Sequence, residues 1–249
     1  MTRLPRRLYE WPTASMNEGR GKSPLGISLL LCLTHLHLDH LEGLRFFAPL
    51  WNERVELDIW GPPSQELSLG ERIARAFSPP LFPVELRDVP AAVTFHDVPR
   101  GPWTIDRASL MAQFVVHPGP TVGYRIATES SSFAYIPDHE PALAGAIAEK
   151  SADWISRASL ASSVDALVHD AQYFEDEYEE RIGWGHSSVA DAVAFTHAVG
   201  AGRLVLFHHE PRHTDDLLEQ LEDRARDLTN GNGGLSAMLA HEGMVIELP

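Results

Sequence analysis

Thr34-His35-Leu36-His37-Leu38-Asp39-His40 is the stretch on which the reading of this chain turns. It follows Ile27–Leu33, an apolar run broken only by Ser28, which reads as a buried strand. Alternate side chains at a strand's end point the same way, so His35 and His37 can offer two imidazoles to one cation. As the chain turns, Asp39 and His40 can face a neighbouring cation. The bland alternative is a polar turn with solvated histidines. Four ligand-type side chains within six positions, at the mouth of an apolar strand, are hard to explain by packing alone. Imidazole and carboxylate donors without thiolate suit zinc, with iron or manganese as alternatives.

Four donors do not close two metal sites, so others must come from elsewhere in the chain. His117 ends the β candidate Met111–Val116 and precedes the sharp turn Pro118-Gly119-Pro120. Asp138 follows the β candidate Phe133–Ile136. His208 follows the strand Arg203–Phe207, and because His209 is adjacent, a shift of one residue in register exchanges the two. All three stand just after a strand, where loops of α/β domains collect functional groups. Taken singly, His117 and Asp138 also read as turn formers, and His208 as a strand-end histidine with a satisfied hydrogen bond.

The surrounding chain reads as α/β. Its 249 residues are 44% apolar and 22% charged, enough for one large domain or two small ones, which excludes a disordered tail, a coiled coil or a collagen-like repeat. Residues 1–25, with Pro5, Pro12, Gly19, Gly21 and Pro24, read as an irregular arm, and 26–249 as a single domain. Further strands are expected at Val55–Trp60, Val93–Phe95, Val122–Ala127, Ala166–Val168 and Met244–Leu248. Helices are expected at Ser64–Phe77, Pro141–Lys150, Ser188–Val199 and Thr214–Leu228. Net charge is −15, and residues 1–25 hold five basic and two acidic groups, so the remainder is more acidic still. Such a body repels polyanions, which argues against broad nucleic-acid binding. Cys32 is the only cysteine, ruling out an internal disulfide or a thiolate zinc cluster. No apolar run approaches the roughly 20 residues of a membrane span. A cytoplasmic protein is expected, with no membrane association.

Thr34 to Gly43, in the pattern T-H-x-H-x-D-H-x-x-G, resembles the signature of the metallo-β-lactamase-fold hydrolases. Later landmarks are similar to the ribonuclease Z and phosphodiesterase branch and run in its order. They are Val115-Val116-His117, Gly123-Tyr124-Arg125, Tyr135-Ile136-Pro137-Asp138, His169-Asp170-Ala171, Gly185-His186-Ser187 and Leu206-Phe207-His208 with Pro211-Arg212. The resemblance implies an αββα sandwich and two divalent ions. It assigns His35, His37 and His117 to one ion, Asp39, His40 and His208 to the other, and Asp138 to both. It makes His186 the proton donor to the leaving oxygen, oriented by Asp170, and Arg212 a phosphate contact. His139, His209 and His213 flank ligands and are candidate outer partners.

Two departures from the family pattern stand out. Only 34 residues precede His35, with no Asp-x-Gly among them, so the N-terminal edge of the first sheet reads as shortened or replaced. Only 20 residues separate His117 from Asp138, too few for a tRNA-gripping arm. A small or cyclic phosphodiester, cleaved by a hydroxide bridging the two ions, is therefore the expected substrate. The alternatives are tRNA 3′ processing, a thioester or lactone hydrolase, and an inactive metal-binding protein. A homodimer stays open.

Overall fold

A computed structural model of the chain describes residues 26–141, 143, 145, 147, 150, 155–230 and 235–249. The arm expected at residues 1–25, and half of the helix expected at Pro141–Lys150, lie outside the described residues. Two sheets form the centre. The first has three parallel strands, β1 (Ile27–Cys32), β2 (Val55–Gly61) and β3 (Ala92–Asp97), in that order. The second holds β4 (Trp103–Ile105), β5 (Ala108–Phe114), β6 (Val122–Ala127), β7 (Ser132–Ile136), β8 (Ala166–Asp170), β9 (Arg203–Phe207) and β10 (Ser236–Leu239). Its order is β10-β9-β8-β7-β6-β5-β4.

Layering follows from which faces are apolar. On β2, Val55, Leu57 and Ile59 are buried with Leu69 and Ile73 of helix α2 (Leu69–Ala74, counted after the single turn α1 at Leu38–Leu41). On the second sheet, Ala134, Ile136 and Leu167 pack with Leu160 of α3 (Ala158–Ala161) and Phe195 of a later helix, Val189–Val199. Between the sheets, Val122 and Tyr124 meet Cys32, Trp60 and Trp103. Helix, sheet, sheet and helix are thus stacked in the αββα order. Each fully buried side chain of this kind contributes roughly 1.5–3 kcal/mol.

Topology gathers the strand ends. β7, β8, β9 and β10 run parallel to one another. β5 and β7 are both antiparallel to β6, so β5 shares the direction of β7. The C-terminal ends of β5, β7, β8 and β9 therefore emerge along one edge of the second sheet, and the end of β1 is tied to it. The Tyr124 hydroxyl donates to the Leu33 carbonyl at 2.8 Å, and the Val122 amide donates to the Thr34 carbonyl at 2.9 Å. Among the described residues β1 has β2 as its one neighbour, and Ile27 and Leu30 are exposed.

Most expected elements form, and the differences have local causes. Helix α2 starts at Leu69 rather than Ser64 because Ser68 and Glu71 make a capping box: the Glu71 amide donates to Ser68 Oγ, and the Ser68 amide to the Glu71 carboxylate. The helices after α4 (Glu175–Glu179) lie as anticipated, α5 at Val189–Val199 capped by Ser188 and α6 at Asp215–Thr229 beginning after Thr214. Met244–Leu248 is not a strand. The position beside β9 is taken by β10, where the sequence carries no strong strand signal, and Val245 is 85% exposed. The three-residue β4 is equally outside the expected set.

Tyr124→Phe removes the donor to a buried carbonyl where the two sheets join. It is expected to lower unfolding stability by about 1–3 kcal/mol, read as a lower urea midpoint at unchanged slope.

Candidate metal centre

Thr34 to His40 leaves β1 at the shared edge and bends into α1, with His37 as its N-terminal flanking residue. The turn places His35 in the interior, 2% exposed, while His37 and Asp39 face outward and His40 lies between. His117 arrives after β5, Asp138 after β7 and His208 after β9. All seven side chains converge. His35, His37 and His117 bring ligand atoms within 4.8 Å of one another, as do Asp39, His40 and His208. Asp138 shares the same spacing with His35 and His40, and again with His117 and His186.

Asp138 is the centre of the group. It is 1% exposed, and its Oδ1 lies 3.3 Å from His40 Nε2, 3.5 Å from His208 Nε2 and 3.9 Å from His35 Nε2. Burial alone would raise its pKa. The hydrogen bond from His40 and the charges of His208, His40 and His35 override this and hold the carboxyl below the usual range. Burial, assisted by neighbouring imidazoles, pushes His35 down to about 3, and burial also lowers His117. Both rings are therefore neutral at pH 7, the form that ligates a metal.

Donor chemistry fits divalent metal. His35 Nε2 and Asp138 Oδ2 are buried and have no hydrogen-bond partner, an expensive state unless a cation meets them. His117 Nδ1 donates to the Gly185 carbonyl at 2.9 Å, which leaves its Nε2 as a lone-pair donor. That Nε2 sits 3.3 Å from His37 Nδ1, a separation that calls for a proton or a cation between two ring nitrogens.

His186 borders the group. Its ring stacks on His208 with centroids 4.7 Å apart and meets His117 edge-on at 4.9 Å. Asp170, at the end of β8 and fully buried, accepts from His186 Nδ1 at 2.7 Å. The same carboxylate accepts the amides of Ser187, Gln172 and His139, which fixes its position. Burial opposes protonation of His186, but Asp170 outweighs it and raises the pKa.

The flanking histidines depart from expectation. His209 Nε2 donates to the Ala240 carbonyl beyond β10, so the adjacent His208, at φ +62°, is the residue that turns to Asp138. His139 pairs with His169 in the interior, and His213 pairs with Glu177. The second ring nitrogen of each of these three histidines has no partner, so none of the rings bonds a candidate ligand. Arg212 is largely exposed, its Nε held on Glu210 at 2.6 Å. Glu140 supports the group without having stood out in the sequence, and Gly185 and Tyr124 stood out only within landmark tripeptides that gave them no role of their own. Their contributions are a long-range carboxylate, a carbonyl and a hydroxyl, and no spacing rule marks them.

Comparison with known proteins agrees with the fold. A family profile described as "Beta-lactamase superfamily domain" matches residues 20–209. A ribonuclease Z of Shouchella clausii is 26% identical over 91% of this chain and 82% of its own length. The short form of human tRNase Z shares the fold at TM-score 0.60 and 20% identity, over 88% of this chain and 79% of that one. A diphosphatase of the PhnP family superposes at TM-score 0.57 and 19% identity, over 89% and 73%.

Zinc that binds the folded chain alone stabilises it, by about 2.7 kcal/mol at a free concentration roughly one hundred times the dissociation constant. Zinc is therefore expected to raise the melting temperature and a chelator to reverse the rise. Asp138→Ala is expected to lose most of that shift, and a shift equal to that of the native chain would contradict the grouping.

Proposed function

This chain belongs to the beta-lactamase superfamily as one of its metal-dependent hydrolases, and on that premise we propose that it cleaves a small or cyclic phosphodiester. In this reading His35, His37 and His117 hold one divalent ion, Asp39, His40 and His208 hold a second, and Asp138 is shared. Zinc suits these donors best. Such a pair of ions supplies charge neutralisation at the non-bridging phosphoryl oxygens and a water of lowered pKa.

The chain's own groups do the rest. Asp170 accepts from Nδ1 of His186 and favours the imidazolium, whose Nε2–H delivers a proton to the departing alkoxide. Ring stacking on His208 keeps that imidazole beside the centre. Arg212, whose Nε is held on Glu210, is the candidate phosphate contact in this reading. The observation that carries the phosphodiester reading is the His186–Asp170 pair at 2.7 Å next to the ligand group. A poor alkoxide leaving group needs a proton, whereas thioester or lactam cleavage at such a centre would leave His186 dispensable.

A second reading, tRNA 3′ processing, is favoured by the similarity to proteins named ribonuclease Z. Against it stand the net charge of −15 and the short span from His117 to Asp138, which is taken up by β6, β7 and their turn. We therefore place the small phosphodiester first, without broad nucleic-acid affinity; a dimer is compatible with this scheme. Among the described residues no helix is long and apolar enough to cross a membrane.

Metal-replete assays on bis(p-nitrophenyl) phosphate, 2′,3′- and 3′,5′-cyclic nucleotides and a precursor tRNA separate the readings. His186→Ala is expected to keep its metal and lose about 10²–10⁴ in kcat on alkoxide-leaving substrates. The loss should be far smaller with p-nitrophenolate, which leaves without a proton. Equal losses on both, or turnover of precursor tRNA alone, would overturn the proposal.

A further inference from the structure

Glu140 lies two residues past Asp138 and has no place in the proposed ligand set. Its side chain is 1% exposed, and a buried carboxylate is expensive unless its lone pairs are filled. The hydrogen bonds it accepts come from uncharged donors. The Tyr178 hydroxyl and the Gly183 amide both reach Oε1 at 2.8 Å, and the Gly185 amide reaches Oε2 at 2.8 Å. Its own amide donates to the Val116 carbonyl at 2.9 Å, one residue before His117. Ser187 Oγ donates to the neighbouring His139 carbonyl at 2.5 Å. The segment after Asp138 is thus stitched both to the end of β5 and to the loop that carries His186.

Gly185 transmits that clamp. Its φ is +92°, and a Cβ there would collide with Pro118 Cδ and His117 Nδ1, so the backbone lies flat against the ligand ring. Its carbonyl is the group that accepts His117 Nδ1–H. We infer that Glu140 is a positioning residue: by holding the amides of Gly183 and Gly185 it sets the carbonyl that keeps the His117 proton on Nδ1 and anchors the base of His186. The inference rests on the ion-binding role proposed for His117. A carboxylate is required because three donors converge on two oxygens, whereas an amide would turn an NH2 toward one of them.

Glu140→Gln conserves volume and tests this directly. The variant is expected to melt cooperatively and to bind zinc about 10- to 100-fold more weakly in competition with a chromophoric chelator. In histidine-labelled, metal-free protein, nitrogen NMR should show His117 moving from a pure Nδ1–H tautomer to a mixture. Should Glu140→Gln fail to fold, Tyr178→Phe removes one donor from the same carboxylate. Its zinc dissociation constant is then expected to rise about threefold, with a smaller tautomer shift. A folded variant with native zinc affinity and an unchanged His117 signal overturns the inference. Were the native chain to bind no zinc, the ion-binding reading would fall, while the tautomer measurement would still report on Glu140.

Discussion

One buried carboxylate sets the terms for the rest of this molecule. Asp138 is 1% exposed, and imidazoles from β1's exit, α1 and β9's exit approach its Oδ1 at 3.3–3.9 Å. An isolated charge in that position would cost several kcal/mol after relaxation. It is tolerable because several positive or metal-ligating partners surround it. They arrive from distant parts of the chain, His40 near one end and His208 near the other, and each must be delivered by a rigid strand.

Strand direction makes the delivery feasible. β5, β7, β8 and β9 all end along one edge of the second sheet, and the Tyr124–Leu33 and Val122–Thr34 hydrogen bonds bring the end of β1 to the same place. Helices α3 and α5 cover the outer face of that sheet, which leaves the edge free for chemistry. The loops there are not slack. Asp170 and Glu140 each accept several backbone amides, so the His186 loop is held from two sides.

How much of this is legible in the sequence depends on whether a group acts near its own position in the chain. The 34–40 stretch announces itself because four donor side chains crowd the end of one apolar strand. His117, Asp138 and His208 are readable as strand-end residues, since the strands before them are apolar runs bounded by Pro or by polar clusters. The choice between His208 and His209 is not readable. It depends on the Ala240 carbonyl, which follows β10, and β10 lies where no strand is expected. Glu140 is invisible for a related reason: its partners are a hydroxyl and two amides from residues 178, 183 and 185, far along the chain. The expected start of α2 falls too early because the capping box of Ser68 and Glu71 overrides the apolar periodicity that begins before it.

The central claim, that seven side chains surround one pair of divalent ions, is tested most directly by anomalous diffraction at the zinc edge from crystals of the zinc-loaded protein. The account predicts two peaks roughly 3.5–4 Å apart. One should lie among His35, His37 and His117, the other among Asp39, His40 and His208, with Asp138 between them. No peak at this edge, or a single peak that Asp138 does not touch, would contradict it.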